Sequence, residues 1–201
     1  MFIQVIKGKV VNATGVEEME RRWQEQLRPG ATGFLGSTRG VTEDGRFIVA
    51  ARFESEEAAR RSSERPEQGT WWSEMEQHVS DVEFHDCSQV ITTLGGGSDD
   101  AGFVQVMIGR IKDQAKFDAL NAKTTEMEKA FSDWRDDVLG EVMAVHDDGS
   151  GYTDVVYFTS QAAARAGEQR PPTAEVQALM AEMDAAAEVV EYLDLPEPSM
   201  Q

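Results

Sequence analysis

The sequence predicts an α+β protein built from two similar halves, each with one antiparallel sheet and the element order β-α-β-β-α-β. Three observations support this prediction, and the first two are internal repeats, which indicate duplicated structural units. The motif at residues 2–10 returns at residues 103–111 with every class of side chain in place. A second motif, at residues 53–60, returns at residues 158–165. Third, residues 95–100 have the sequence GGGSDD, a composition typical of a flexible linker between the halves.

The first half begins with a strand and a helix. Residues 2–10 have a side-chain pattern with a period of two and are rich in Ile and Val, which predicts a β-strand. Met19, Trp23 and Leu27 recur at helical spacing, which predicts a helix over residues 16–27. The unit therefore opens with a β-α pair.

A hairpin follows this pair. Residues 34–41 and 47–53 are alternating apolar runs, and both predict strands. Asp44 and Gly45 lie between them, and Gly after Asp is favoured in a tight turn. Two strands joined in this way lie next to each other and antiparallel.

A second helical region and a last strand complete the unit. Ser55 is suited to cap a short helix through Ala59, because its side-chain oxygen can accept a hydrogen bond from a backbone N–H of the first turn. Helical periodicity restarts at Pro66 and runs to residue 79, and residues 82–90 predict the closing strand. The order is that of a ferredoxin-like unit, a split βαβ arrangement.

The first strand is apolar on both faces, since Ile3 and Val5 alternate with Phe2 and Ile6. Such a strand is buried on both faces, whereas the helices of one unit cover only one of them. Two units in one chain can press their uncovered faces together. The predicted architecture is therefore two ferredoxin-like βαββαβ repeats packed as an intramolecular pseudo-dimeric α/β barrel. We expect three segments, which are a first repeat at residues 1–92, a linker at residues 93–101 and a second repeat at residues 102–201.

The element order, the duplication and the hydrophobic pattern resemble those of tandem dimeric α/β barrel proteins, and most closely the antibiotic biosynthesis monooxygenase type of domain. The sequences RPEQGTWW at residues 65–72 and FHDC at residues 84–87 are similar to those of tandem proteins of this kind. The resemblance covers both halves of the chain. It implies a protein that binds a small hydrophobic or aromatic molecule and, if it is an enzyme, a cofactor-independent oxygenase. Haem-degrading relatives have Asn on the first strand, where this chain has Gln4 or Ile6, so we expect no cofactor.

The composition excludes several classes of function. The 201 residues include 37 acidic and 19 basic side chains, and the formal net charge of −18 repels nucleic acid and anionic membrane surfaces. One cysteine and three histidines are too few for a standard structural zinc site, and we expect no metal. No apolar run approaches the roughly 20 residues of a membrane helix, and no signal-peptide pattern is present, so we expect a cytoplasmic protein.

The last helix of each repeat should bury the same face, yet the two repeats fill that face differently. The alignment places Trp71 on Val176 and His78 on Met183, so an aromatic ring and an imidazole replace an aliphatic and a thioether group. We predict a ligand pocket between the helix and the sheet of the first repeat, with Trp71 stacked on the substrate and Met75 beside it. His78 would be the catalytic base, because imidazole titrates near neutral pH.

Two strand positions extend this prediction. His85 of the first repeat stands where the second repeat has Leu193, so we add His85 to the substrate-binding residues. Gln4 and Gln105 recur at one position of the first strand in both repeats. Buried amides need hydrogen-bond partners, so Gln4 either contacts the substrate or cross-links the fold.

A second class of function stays open alongside the enzyme. In that interpretation Trp71 and His78 are ordinary core residues, and the protein is a non-catalytic structural or partner-binding module. Since one chain carries both halves of the usual dimer, we expect a monomer, with weak pairing through the acidic outer helices as the alternative.

Overall fold

The computed structural model describes every residue from Met1 to Gln201, and these residues form two compact units. The first unit consists of Met1–Ser88 with Ser199–Gln201, and the second of Gln89–Pro198. Each unit contains one five-stranded antiparallel sheet with helices, which confirms the predicted α+β class and its two ferredoxin-like units. No helix is both long enough and apolar enough to span a membrane.

Helices and strands follow each other in a similar order in both units. The first unit contains β1 (Phe2–Val10), α1 (Ala13–Arg22), β2 (Phe34–Val41), β3 (Arg46–Phe53), α2 (Glu56–Ser63), α3 (Pro66–Met75) and β4 (Val79–Cys87). The second contains β5 (Gln89–Thr93), β6 (Phe103–Ile111), α4 (Gln114–Asn121), α5 (Thr124–Trp134), β7 (Val138–Val145), β8 (Tyr152–Phe158), α6 (Gln161–Glu168), α7 (Ala174–Ala186) and β9 (Ala187–Leu195). The short β10 (Ser199–Met200) returns to the first sheet. The strand orders are β10-β2-β3-β1-β4 and β5-β7-β8-β6-β9.

A fifth strand in each sheet exceeds the four that the sequence predicts. The strand predicted over residues 82–90 is β4, which ends before Ser88. The next strand, β5, pairs with β7, so residues 89–92 lie in the second unit and not with the first repeat. Ile91 of β5 packs against the helix-covered core of the second sheet. These contacts are distant in sequence, which is why a local pattern cannot separate β4 from β5.

The helix predicted over residues 66–79 ends earlier, because α3 stops at Met75. Val79 already belongs to β4 and pairs with Val10 of β1. His78 therefore lies in the turn between helix and strand and not on the buried face of a helix. Long-range strand pairing outweighs the helical periodicity that continues through these residues.

The helix predicted over residues 16–27 starts earlier and changes its geometry. Asn12 caps α1, since its side-chain oxygen accepts a hydrogen bond of 3.2 Å from the N–H of Gly15. After α1 the chain is π-helical over Trp23–Leu27 and then forms a 3₁₀ turn over Arg28–Gly30. π-Helical segments are rare in proteins, and those that occur are often found at functional sites.

Helices cover one face of each sheet, and a large aromatic ring lies at the same place in both. Phe47 of β3 is opposite Gly8, and Tyr152 of β8 is opposite Gly109. A side chain on either glycine would overlap the ring opposite it, so both positions require glycine. Around these rings lie two buried clusters with matching locations, Val16, Met19, Met75 and Val79 in the first unit and Phe117, Leu120, Val145 and Ala186 in the second.

Equivalent serines cap the helix after the hairpin in both units. Ser55 accepts a hydrogen bond of 3.2 Å from the N–H of Ala58, and Ser160 accepts one of 3.1 Å from the N–H of Ala163. Such caps satisfy one of the backbone donors that a helix leaves free at its first turn.

We expect Ser55→Ala and Ser160→Ala each to lower the free energy of unfolding by about 1 kcal/mol, because each removes this cap. Urea denaturation followed by circular dichroism measures the change. Ser63→Ala, at the exposed end of α2, is the control and should change stability by less than about 0.5 kcal/mol. Equal effects of Ser63→Ala and Ser55→Ala would contradict a specific capping role.

Candidate functional site

Trp71 and Met75 of α3 both contact the helix-covered core of the first unit. Met75 is 6% exposed and belongs to the core cluster that Trp71 adjoins. The indole N–H of Trp71 donates a hydrogen bond of 2.7 Å to the backbone oxygen of Met19 in α1. The polar atom of Trp71 is thus already engaged, and this bond ties α3 to α1.

His78 contacts the first turn of α1 through Asn12 and Gly15. Its Nδ1 lies 3.2 Å from the side-chain Nδ2 of Asn12, the residue that caps this helix. The imidazole ring lies against Gly15 so closely that a Cβ at position 15 would overlap it. These contacts give His78 a role in holding the first turn of α1, and its catalytic role stays a prediction.

Gln4 makes the same bond in the first unit that Gln105 makes in the second. The amide of Gln4 donates to Oδ1 of Asp86 at 3.0 Å, and the amide of Gln105 donates to Oδ1 of Asp194 at 2.9 Å. In each case glutamine and aspartate are opposite each other in neighbouring strands. A bond that both units share supports the cross-linking interpretation of Gln4.

His85 does not lie on the face that Gln4 and Trp71 share. Side chains alternate along a strand, and Asp86 of β4 points to Gln4, so His85 points to the opposite face of the sheet. Its Nε2 lies 3.6 Å from a carboxylate oxygen of Glu83. The structure therefore brings Trp71 and Met75 together and does not add His85 to them.

An unusual buried acid lies in the second unit, on the helix-covered face of its sheet. Asp154, in the middle of β8, is only 3% exposed. Its neighbours across the strands are Met107 of β6 and Met143 of β7. Tyr152 and Val156, which share its face of β8, both belong to the cores under the helices. Asp154 thus lies directly opposite two thioether side chains, on a face that is otherwise largely apolar.

The environment of Asp154 raises the pKa of its carboxyl group. Burial raises its pKa well above the usual 3.8, and the charge of Glu141 and a hydrogen bond to Glu141 raise it further. Glu141 of β7 also accepts a hydrogen bond from the hydroxyl of Thr93. Oδ1 of Asp154 has no hydrogen-bond partner. The pair thus leaves one buried acceptor free beneath the helices.

Other polar groups of the second unit are buried as well. The ring of Tyr152 stacks on Phe117 at 5.9 Å, and burial raises the pKa of Tyr152 to about 12. On the helices above, Nδ2 of Asn121 and Nε1 of Trp134 are buried and make no hydrogen bond. Proteins pair nearly all buried polar atoms, so unpaired ones call for a partner such as a ligand. An apolar lining with a few polar atoms is typical of small-molecule sites.

The first unit lacks this acid at the equivalent position. The register pairs Ile6 of β1 with Val49, and it pairs Met107 of β6 with Asp154, so Val49 and Asp154 correspond. The sequence carries this signal, because the repeat of residues 53–60 at 158–165 extends backwards without a gap and aligns Val49 with Asp154. A comparison restricted to the last helix and last strand of each repeat misses it.

Comparisons with known proteins identify the fold. The sequence matches no family model and no curated protein. A candidate monooxygenase from Fusobacterium nucleatum is similar in structure over 100% of this chain and 93% of its own, with a TM-score of 0.74 and 8% identity. A candidate monooxygenase from Lactobacillus acidophilus matches 100% of this chain and 98% of its own, with a TM-score of 0.67 and 12% identity. An anthrone oxidase-like protein matches 99% and 93%, with a TM-score of 0.63 and 12% identity.

At these identities the likeness shows the fold alone. The whole chain has a two-unit α+β fold that it shares with these proteins, as the sequence predicts.

The raised pKa of Asp154 makes a specific prediction for stability against pH. Above the unfolded pKa of about 3.8 and below the raised value, the folded protein holds one proton more than the unfolded chain. Stability therefore falls as pH rises through this window, by at most about 1.4 kcal/mol per pH unit from this group. We expect Asp154→Asn to lose this contribution, so its stability relative to the wild type should increase as the pH rises above about 4.

Urea denaturation at a series of pH values measures this difference. Asp133→Asn, at an exposed position of α5, is the matched control and should follow the wild-type profile. Parallel profiles of Asp154→Asn and the wild type would show that Asp154 is ionised in the folded protein.

Proposed function

We propose that the protein binds a small aromatic or hydrophobic molecule against the helix-covered face of the second sheet and oxidises it as a cofactor-independent monooxygenase-like enzyme. The observation that supports this most directly is the buried Asp154, whose Oδ1 has no hydrogen-bond partner and whose pKa is raised by burial. The fold neighbours named as candidate monooxygenases and as an anthrone oxidase-like protein support the reaction class.

The side chains around Asp154 favour an aromatic ligand that carries a hydroxyl group. Oδ1 can accept a hydrogen bond from such a hydroxyl, which would satisfy the buried acceptor. Met107 and Met143, opposite Asp154 in the sheet, offer thioether sulfurs that interact favourably with aromatic rings. The phenol ring of Tyr152 adds an aromatic surface on the same face.

The reaction that fits this site begins with proton removal. Oδ1 of Asp154 would accept a proton from an acidic C–H of the substrate while the proton that Asp154 already holds passes to Glu141, and the resulting carbanion would transfer two electrons to O₂. A methylene group then becomes a carbonyl, with one oxygen atom of O₂ in the product. The other oxygen atom leaves as water with the two hydrogens of the methylene, so no cofactor is required. General acid–base catalysis of this kind contributes about 10²- to 10⁴-fold in rate.

The first-repeat site of the sequence analysis is the competing location. It would use His78 as the base and Trp71 as the stacking partner. The bonds of both side chains within the first unit favour a role in stability for them.

We also propose that the chain works as a monomer in the cytoplasm, and the net charge of −18 supports the absence of nucleic-acid partners.

Oxygen uptake with anthrone as the probe substrate separates the two locations. We expect Asp154→Asn to lower kcat/KM by at least about 100-fold, because it removes the proton-holding group. His78→Leu should keep kcat/KM within about threefold of the wild type while lowering stability by about 1 kcal/mol, since it loses the contact with Asn12. Circular dichroism confirms that each variant is folded.

Two outcomes would contradict this assignment. Full activity of Asp154→Asn would exclude the second unit as the catalytic site. Loss of activity in His78→Leu alone would place the site in the first unit, as the sequence analysis predicts.

A further inference from the structure

The first unit places a positive charge beside the position where the second unit has Asp154. Arg39 of β2 is opposite Val49, and Met143 of β7 is opposite Asp154. Val49 and Asp154 are equivalent, so Arg39 and Met143 are equivalent as well. In each unit one member of this cross-strand pair is ionisable, a base in the first unit and an acid in the second.

Arg39 is poorly satisfied for a buried cation. Its side chain is 16% exposed, and its ion pair is with Glu20 of α1, at 3.4 Å between Nη1 and Oε2. Its Nε is buried and makes no hydrogen bond. Burial lowers the pKa of Arg39 and raises the pKa of Glu20, but a guanidinium starts so high that it stays charged at neutral pH. A buried N–H of a charged group is therefore free to donate.

A second free donor lies on the same helical segment as Glu20. Gln24 follows Glu20 by one helical turn and is the second residue of the π-helical segment Trp23–Leu27, so both side chains project from one side. Its Oε1 accepts a hydrogen bond of 3.0 Å from Arg28, while its Nε2 is buried and has no acceptor. The π-helical geometry and the unpaired amide therefore coincide.

We propose that the first unit binds a small monocarboxylate with an apolar body, through Arg39 and Gln24. A carboxylate offers two oxygens and needs donors, and here two buried donors need acceptors. Charge-assisted bonds from a guanidinium to a carboxylate are among the strongest hydrogen bonds in proteins. Val49, opposite Arg39 in the sheet and packed against the first core, provides apolar surface for the body of the ligand. This proposal does not depend on the oxidation proposed for the second unit.

Isothermal titration with benzoate tests the proposal, with benzamide as the uncharged analogue of the same shape. We expect the wild-type protein to bind benzoate at least about tenfold more tightly than benzamide, because only benzoate supplies a charged acceptor. Arg39→Met should weaken benzoate binding at least about tenfold. This variant places at position 39 the residue that the second unit already has at the equivalent position 143, so the fold can accept it. Arg61→Met, at an exposed position of α2, is the matched control and should leave benzoate affinity within about twofold of the wild type.

A second variant keeps the test decisive if Arg39→Met fails to fold. Gln24→Leu removes an amide whose Nε2 is already unpaired, and it should weaken benzoate binding at least about threefold. Equal benzoate affinity in the wild type and in either variant would overturn the proposal, as would the absence of binding at millimolar benzoate. Equally tight binding of inorganic phosphate would also overturn it, because the site would then select for negative charge and not for a carboxylate.

Discussion

Each unit of this protein depends on helices that cover one face of an antiparallel sheet. A side chain on that face must be apolar or must find a polar partner, because water cannot reach it. Most positions obey this constraint with apolar groups. Asp154 meets it only in part, since one oxygen is bonded to Glu141 and the other is free. We therefore assign ligand binding to the position where a buried polar atom has no hydrogen-bond partner.

The duplication shows which of the unusual residues in the sheets are required by the fold and which are not. Both units keep the glycine opposite the large aromatic ring, and both keep the glutamine–aspartate pair, so these features belong to the shared architecture. Asp154 and Arg39 each occur in one unit only, where the other unit has Val49 or Met143. A fold that is stable with the apolar residue does not need the charged one. This asymmetry is the physical reason to assign ligand chemistry to Asp154 and Arg39.

Local patterns in the sequence predict most of the elements and few of the contacts. The alternation of residues 2–10 predicts β1 to the residue, and the strands of both hairpins follow from similar patterns. The end of α3 cannot be predicted in this way, because the pairing of Val79 with Val10 decides it. The same displacement removes His78 from the helix face on which its catalytic role was predicted. The break between β4 and β5 also depends on a distant partner, β7.

The central claim is that Asp154 is a buried carboxylic acid that holds its proton at neutral pH, and infrared difference spectroscopy tests it most directly. The wild-type spectrum minus the Asp154→Asn spectrum should contain the C=O stretching band of a protonated carboxyl group, and this band should shift in D₂O. A difference spectrum with carboxylate bands alone would show that Asp154 is ionised, and the account of the second unit would then be wrong.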